Sequence, residues 1–428
     1  MRTRSGLTPA AVGRAVPGAA VAATLAVVGV ASAGYFPHTW RLTTLALGAL
    51  AAAALLARRR ISVSRREWLF LAAFVALTLW TALSTLWSDR ASTSGLEAER
   101  TGLYLVGAAA ILLAVDRRSL GRVLGSCVAG ITAVSAYGLG NYVLVGHPLN
   151  PIEGNLLFEP IGYANAFGIF SAIGIVLSVG LALAVERRSA RLAALACLPI
   201  LAPTLYLTSS RGAWLALAAG LAAILALGRR VSTRVAVVLA VGACLAVVAV
   251  AAVSAEHGIA ARLVGTNRPL YWHVAWKEYR LNPVLGSGAG TFDAYWLRYR
   301  SVDSFARDAH SLYVETLAEL GPLGLALVVA ALGIPFAGVR GRLDPFTAAA
   351  AGGYIAFVVH LGVDWDWELP AVTLAGLTCG AALLVGTREE GGRPLSRRAR
   401  AVLVLAALAT AGISAGRLSG GPSLPFGP

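Results

Sequence analysis

Charged residues are scarce in this chain of 428 residues. Asp, Glu, Lys and Arg make up 13% of it, apolar residues make up 57%, and the mean hydropathy is +0.71. A soluble globular domain carries about a quarter charged residues, so this class of protein is excluded. Apolar stretches of the roughly 17–25 residues needed to cross a bilayer recur along the whole chain. The composition therefore predicts an all-α, polytopic integral membrane protein.

Lysine is nearly absent, and cysteine is rare. Lys277 is the only lysine, and the net charge of +15 comes mostly from arginines that cluster in short loops between apolar segments. Such clusters indicate membrane topology and not a nucleic-acid surface. The four cysteines all lie inside apolar segments, which favours small buried side chains over disulfides or metal ligands: Cys127, Cys197, Cys244 and Cys379.

The apolar windows predict twelve membrane-spanning helices and a thirteenth candidate at 401–416. The twelve lie near 16–33, 42–57, 68–87, 100–115, 123–145, 163–185, 192–207, 213–228, 235–255, 311–339, 346–363 and 370–386. Arginine-rich loops alternate with loops that have no basic bias, and the positive-inside rule places the arginine-rich set in the cytoplasm. We expect a single polytopic domain over residues 1–428, with a disordered tail at 417–428.

One loop on the opposite, outward side is much longer than the others. Residues 256–310 interleave tyrosines and tryptophans with arginines, and VAWKEYRL (274–281) predicts a short amphipathic helix in the membrane interface. Long connections in compact proteins are usually functional. The loop therefore predicts that the function lies on the extracytoplasmic side.

The stretch DAHSLYVETLAELG (308–321) places ionisable residues at the mouth of an apolar segment. Asp308 is a candidate N-cap, which would put His310 in the first helical turn with a neutral ring that can accept a proton. Ser311, Glu315 and Glu319 follow at a spacing of four, on one helix face. Carboxylates at this depth face a cavity or a partner. An interfacial histidine and a structural salt bridge are the alternative interpretations.

Two arginines are candidate ligands for a phosphate or diphosphate. Arg211 lies in a very short outward loop, and Arg268 lies in NRPLYW. A permanently charged, planar guanidinium suits a diphosphate, although contact with lipid headgroups is an alternative. GSGAG (286–290) lacks the ending of a phosphate loop and predicts a tight turn. DWDWE (364–368) is an acidic, aromatic turn that fits a sugar site, a cation site or a structural rim.

These motifs resemble those of the O-antigen ligase family over roughly residues 200–385. RGAWL (211–215) resembles its Arg-x-x-x-Leu motif. HSLYVETLAELGPLG (310–324) resembles its His-[Asn/Ser/Gln]-x9-Gly-x-x-Gly motif, with four positions in register: His310, Ser311, Gly321 and Gly324. RPLYW and the later NPVLGSGAGTF resemble its long periplasmic loop.

The resemblance implies a GT-C-like glycosyltransferase in the bacterial cytoplasmic membrane, with its active site facing the periplasm. Its donor would be a glycan on undecaprenyl diphosphate, and its acceptor a glycan or a lipid. His310 would be the catalytic base, Arg211 and Arg268 would bind the diphosphate, and Asp308, Ser311 and Glu315 would support them. We expect no metal and no other cofactor. A repeat-unit polymerase of the same family and a glycan flippase or transporter are the alternatives.

Overall fold

The computed structural model describes residues 9–57, 61–146, 150, 153–229, 267–389 and 393–420. Over these ranges the regular structure is helical, apart from a short antiparallel ribbon that pairs β1 (Ser62–Val63) with β2 (Arg393–Pro394). The α-helices are α1 (Pro9–Val30), α2 (Pro37–Ala57), α3 (Arg65–Leu83), α4 (Ala91–Ala114), α5 (Leu120–Gly140), α6 (Ala164–Ala184), α7 (Arg188–Leu195), α8 (Leu198–Leu207), α9 (Arg211–Leu227), α10 (Arg268–Leu281), α11 (Phe292–Tyr299), α12 (Leu312–Gly333), α13 (Pro345–His360), α14 (Pro370–Gly386) and α15 (Arg397–Gly420). Short 3₁₀ or π turns lie at Ser32–Gly34, Ser84–Leu86, Asn141–Val145, Ile334–Gly338 and Asp366–Glu368.

Helices that are long and apolar enough to cross a bilayer confirm a multi-pass membrane protein. In the described ranges six such segments occur: Pro37–Ala57, Arg65–Leu86, Leu120–Val145, Ala164–Ala184, Arg188–Leu207 and Leu312–Gly338. Shorter apolar helices occur at Gly18–Val30, Arg211–Leu227, Pro345–His360, Pro370–Gly386 and Leu403–Leu418. The expected segment at 235–255 lies outside the described residues. A total of twelve or thirteen spans therefore stays a prediction.

The centre of the bundle is built from helices that approach closely because their contact residues are small. Helix α14 is buried along its whole length. A Cβ on Gly180 of α6 would lie 2.5 Å from the Cβ of Ala349 in α13, and a Cβ on Gly220 of α9 would lie 2.7 Å from the carbonyl oxygen of Gly352. Small residues at such contacts let membrane helices pack tightly. This packing fixes the end of α13, from which the candidate site is built.

Helix α12 is interrupted at Gly321, the tenth of its 22 residues. Gly321 has φ +68° and ψ −173°, a conformation that favours glycine, and Pro322 has no N–H to continue the helical hydrogen bonds. Three preceding carbonyls instead accept hydrogen bonds from outside the helix: Ala318 from Ser287 N–H (3.2 Å), Glu319 from Gly288 N–H (2.8 Å) and Leu320 from Trp80 Nε1–H (2.9 Å). A Cβ at Gly321 would lie 2.5 Å from the carbonyl oxygen of Val284. The break is therefore where the long loop joins the span.

The described part of the long loop, from residue 267 onward, has a hydrophobic cluster of its own. Helices α10 and α11 bury aromatic and small side chains against the start of α12: Tyr271, Val274, Ala275, Phe292, Trp296, Ala306, Ala309 and Ala318. VAWKEYRL forms the second half of α10. Residues 256–266 lie outside the described part. The loop thus carries Arg268 and His310 on a packed unit.

The last helix extends further than the sequence suggests. Helix α15 ends at Gly420, so residues 417–420 of the expected tail are helical, whereas 421–428 lie outside the described residues. Arg417 donates a hydrogen bond to Glu99 of α4, and Glu99 also accepts one from Arg41 at 2.8 Å. These contacts stabilise the end of α15 as a helix.

Candidate functional site at the end of helix α13

The prediction that Asp308 caps the helix and that His310 lies in its first turn is wrong. The helix begins at Leu312, and Ser311 is its N-cap residue. Leu312 N–H donates to the carbonyl of Leu361 at 2.9 Å instead of to a capping side chain. The Asp308 side chain is buried in a cluster of charged groups, so it does not reach the helix end. His310 therefore lies in the loop just before the helix.

His310 has a strained backbone and a defined ring orientation. Its φ of +54° lies in the left-handed region, which is unfavourable for a residue with a Cβ and which concentrates at functional sites. Its Nδ1 lies 3.0 Å from the carbonyl oxygen of Asp308, and the ring stacks on Tyr271 with centroids 4.8 Å apart. A carbonyl only accepts, so Nδ1 carries the hydrogen and Nε2 keeps its lone pair. Burial lowers the pKa of His310 below its usual value. The ring is therefore neutral and able to accept a proton at Nε2.

Arg268 lies at the start of α10 and pairs with a buried carboxylate. Its guanidinium donates to Asp364 Oδ2 at 2.8 Å, and Asp364 Oδ1 accepts from the hydroxyl of Tyr163 at 2.9 Å. Asp364 and Arg268 both act on the charge state of His310, so the three groups share one electrostatic environment. The Nε of Arg268 is buried with no hydrogen-bond partner among the described residues. One donor of Arg268 is therefore unused by the described residues.

Arg211 is the first residue of α9, at the same end of the bundle. The preceding Ser209 has φ +52°, and Ser210 caps the helix through a hydrogen bond from Ala213 N–H at 3.2 Å. Arg211 is exposed. A Cβ on Gly212 would lie 3.0 Å from Nε2 of His360, the last residue of α13. The end of α13 thus contacts the starts of both α9 and α12.

DWDWE (364–368) contributes buried groups to the site. Asp366 Oδ2 bonds to Nδ1 of His360. Asp366 Oδ1 and His360 Nε2 are buried without a hydrogen-bond partner in the described part of the chain. Burial raises the pKa of Asp366 above its usual range, although His360 opposes the shift. The sequence left three interpretations of this turn open: a sugar site, a cation site or a structural rim. The structural rim fits these contacts.

A cluster of buried charges lies beside His310. Arg100 of α4, only 1% exposed, bonds to Glu97 and to Glu368 Oε2 at 3.0 Å. Arg307 lies 3.5 Å from both of these carboxylates and donates to the hydroxyl of Tyr35. Burial raises the pKa of Tyr35 to about 12, so that hydroxyl stays protonated. The segment that leads into His310 is therefore held by the ion pairs of Arg307.

Three carboxylates in this region could hold a metal ion. Oxygens of Asp308, Glu315 and Glu368 lie within 4.8 Å of one another. Burial raises the pKa of Asp308 well above its usual range, and its carboxyl bonds to Glu368. The Arg100 and Arg307 guanidiniums outweigh the effect of burial and lower the pKa of Glu368. The Arg100 and Arg307 guanidiniums already balance the acidic charge, so the groups fit an ion-paired cluster better than a cation site.

Glu315 and Glu319 have different partners although they lie on one helix face. Glu315 Oε2 accepts from Ala309 N–H at 2.6 Å and so holds the residue next to His310. Glu319 instead accepts from the N–H groups of three consecutive loop residues at 2.7, 2.8 and 2.9 Å: Gly290, Thr291 and Phe292. The tight turn predicted at GSGAG therefore encloses a carboxylate of the protein itself. Glu315 supports the candidate base, and Glu319 anchors the loop.

The sequence reasoning missed Arg100, Glu97 and Arg307. Arg100 and Glu97 are three residues apart at the start of a predicted span, where charged residues normally mark a partner or a functional site. That signal was present in ASTSGLEAERTGLYL (91–105). Glu368, the partner of Arg100 and Arg307, lies 268 positions away from Arg100, which no local pattern shows.

Comparison with known protein families agrees with the motifs. The family model described as O-antigen ligase matches residues 196–329, which include Arg211, Arg268 and His310. No curated protein matches the chain. The match supports a function within the O-antigen ligase and polymerase family and a glycosyltransferase-like activity. The protein is thus a multi-pass bacterial membrane protein that is similar, over residues 196–329, to the O-antigen ligases.

Proposed function

We propose that the protein transfers a glycan from an undecaprenyl-diphosphate-linked donor to an acceptor hydroxyl on the outer face of the cytoplasmic membrane. The observation that carries the proposal is the arrangement around the end of α13. A histidine with a free Nε2 shares its surroundings with Arg268, and the helix that begins with Arg211 packs on the same end. A GT-C-like architecture is part of this proposal.

The proposed reaction needs no nucleotide, because the sugar–diphosphate bond is already activated. The acceptor oxygen forms a bond to the anomeric carbon, and its proton moves to Nε2 of His310. The bond from that carbon to the diphosphate oxygen breaks, and its electron pair leaves with the lipid diphosphate. Arg211 and the unpaired Nε of Arg268 stabilise the negative charge that develops there. The chain supplies both groups without a metal ion.

The bilayer edge gives the two substrates a place to meet. Helix α12 starts two residues after His310 and is apolar beyond Pro322. A polyprenyl tail can therefore remain in the lipid while the diphosphate and glycan reach the polar end of the bundle. The arginine-rich loops, which the sequence assigns to the other side, support a location of this end outside the cytoplasm.

A repeat-unit polymerase would use the same chemistry, with a growing glycan as its acceptor. A flippase or transporter remains the alternative from another class, since broken helices are common at transporter sites. The break at Gly321 has a structural role here and does not form a transport site. Its freed carbonyls are occupied by Ser287, Gly288 and Trp80, so they do not face a substrate.

The test compares lipid-linked glycans in cells with and without the protein by mass spectrometry. A ligase predicts that full-length lipid-linked polymer accumulates in the deletion strain, and a polymerase predicts that single repeat units accumulate. Glycan trapped on the cytoplasmic side would support the flippase and reject the proposal. Purified protein should transfer glycan from undecaprenyl diphosphate in detergent, where no flipping step exists.

A further inference from the structure

A pocket lies at the end of the bundle opposite to the candidate site. Its volume is about 390 Å³, within the range of roughly 300–1,000 Å³ that is typical of ligand sites. It lies between the start of α5, the end of α6, helix α7 and the start of α13. It is lined by basic and apolar side chains: Arg117, Arg118, Arg122, Leu181, Val185 and Phe346, among others.

Two helices connect this pocket to the candidate site and fix the distance between them. Helix α6 begins next to Tyr163, which bonds to Asp364, and it ends beside Val185 at the pocket. Its 21 residues span about 30 Å, the thickness of a bilayer core. Helix α13 likewise runs from Phe346 at the pocket to His360 at the site. The pocket therefore lies at the opposite membrane surface, which the arginine-rich loops predict to be cytoplasmic.

The arginines of the pocket have N–H donors that the described residues do not use. Arg118 and Arg122 are exposed and form no hydrogen bond or ion pair within the described ranges. Arg117 donates to the carbonyl of Gly386 at 2.6 Å and retains further N–H donors. The nearby Asp116 carboxylate is held by Ser119 N–H at 2.9 Å. The pocket thus offers unpaired positive charge to a ligand.

The remaining walls of the pocket are apolar. Phe346 reaches into the start of α5, where a Cβ on Gly121 would lie 2.7 Å from its ring. Helix α7 buries none of its residues, and Leu192 on it is 58% exposed. Helix α7 is the first part of the candidate span Arg188–Leu207, so its exposed apolar side chains are available to lipid. A ligand in the pocket would therefore contact guanidiniums at one end and apolar side chains at the other.

We propose that this pocket binds an anionic glycerophospholipid of the adjacent leaflet, with its phosphodiester on Arg118 and Arg122 and an acyl chain along Leu181 and α7. Basic pockets between membrane helices on the cytoplasmic side suit such headgroups. A soluble phosphate compound could satisfy the arginines but would leave the apolar wall uncovered. The charge and the apolar wall together favour the lipid.

The test is native mass spectrometry of the full-length protein in detergent, titrated with dioleoyl phosphatidylglycerol or dioleoyl phosphatidylcholine. We expect selective retention of phosphatidylglycerol. The double variant Arg118→Gln/Arg122→Gln should bind it roughly 30-fold more weakly, since each arginine near anionic lipid contributes about 1 kcal/mol. The matched control, Arg187→Gln/Arg188→Gln, loses the same charge from the same membrane surface outside the pocket and should bind as the unmodified protein does.

A second variant tests the apolar wall with all arginines kept. Ala194→Trp fills the space beside α7 and should weaken retention at least as strongly, with folding checked by size exclusion. Equal loss in the Arg187/Arg188 control would overturn the proposal, because the effect would then be general surface charge. Glycerol 3-phosphate that competes at the same concentration as phosphatidylglycerol would also overturn it, in favour of a soluble phosphate ligand.

Discussion

Arg268 donates a hydrogen bond to the buried carboxylate of Asp364 at 2.8 Å, across 96 positions of the sequence. The side chain of Asp364 is 1% exposed, and that of Arg268 is 25% exposed. The pair fixes Arg268 next to His310 while one of its donors stays unused. Substitutions of Arg268 are therefore expected to affect stability as well as the proposed donor binding, and the two effects need to be separated.

The first prediction separates them with a double variant. Arg268→Ala leaves Asp364 buried without its cation and should lower the free energy of unfolding by about 2–3 kcal/mol, less than for a fully buried pair because Arg268 is partly exposed. Arg268→Ala/Asp364→Asn should recover much of this loss, because the unpaired charge is gone. Thermal unfolding in detergent measures the stability. Transfer should stay impaired in both variants, and full activity in the double variant would exclude Arg268 from donor binding.

The second prediction concerns His310. His310→Ala should reduce transfer by roughly 10²–10⁴-fold with the fold intact, since proton transfer by a positioned base contributes about that much. The matched control is His273→Ala, because His273 lies exposed on α10. Both variants are assayed with purified undecaprenyl-diphosphate glycan and checked by size exclusion. Near-normal turnover in a well-folded His310→Ala protein would leave His310 with no catalytic role.

The pH profile of transfer follows from the burial of His310. Burial lowers its pKa below the usual value of about 6.5. The neutral ring is the active form, so kcat/KM should be constant near pH 7 and fall as the pH drops through the lowered pKa. Its acid limb should have a midpoint below about 6.5. A midpoint above that value would assign the limb to another group, and the limb should disappear from the residual activity of His310→Ala.

The sequence alone predicts the helices of this protein well and the contacts between them poorly. The predicted span 163–185 corresponds to Ala164–Ala184, and 370–386 corresponds to Pro370–Gly386, because unbroken apolar runs with charged ends define a membrane helix locally. His310 stands out as an ionisable residue at an apolar border, and Arg268 stands out through the motif NRPLYW. Their partners do not, since pairing depends on how distant helices pack. The left-handed φ of His310 likewise arises from tertiary contacts and has no local sequence signal.

Arg211 is expected to act through the shape of its guanidinium as well as its charge. Arg211→Lys keeps the charge but cannot donate two parallel hydrogen bonds to a diphosphate. We expect transfer to fall by roughly 10²-fold, as when one charge-stabilising donor is removed from an active site. Arg340→Lys is the control, since the Arg340 side chain is 80% exposed at the other end of the bundle. If Arg211→Lys matches this control, the shape of the guanidinium has no role in donor binding.

Glu319 is expected to stabilise the long loop without taking part in chemistry. Glu319→Gln replaces a carboxylate that accepts three N–H bonds by an amide that points its own donors at them, so unfolding should become easier by about 2–4 kcal/mol. Limited proteolysis within 282–305 and thermal unfolding report the effect. Asp303→Asn is the matched control, because the Asp303 side chain is 96% exposed in the same loop. Equal stability of the two variants would show that the loop is held by other contacts.

The interrupted turn at Gly321 has a consequence for how this chain can be altered. At this break, two main-chain carbonyls of α12 accept hydrogen bonds from the N–H groups of residues 287 and 288. Without these bonds the carbonyls would lie unpaired in the membrane. The long loop is therefore not a detachable module resting on the membrane part. A loop grafted from a relative would need its own turn in the same place, and shortening the loop between 282 and 292 would unravel the first third of a transmembrane helix. Diversity in acceptor choice is thus expected to come from side chains on α10 and α11, with the turn that joins them to the span left unchanged.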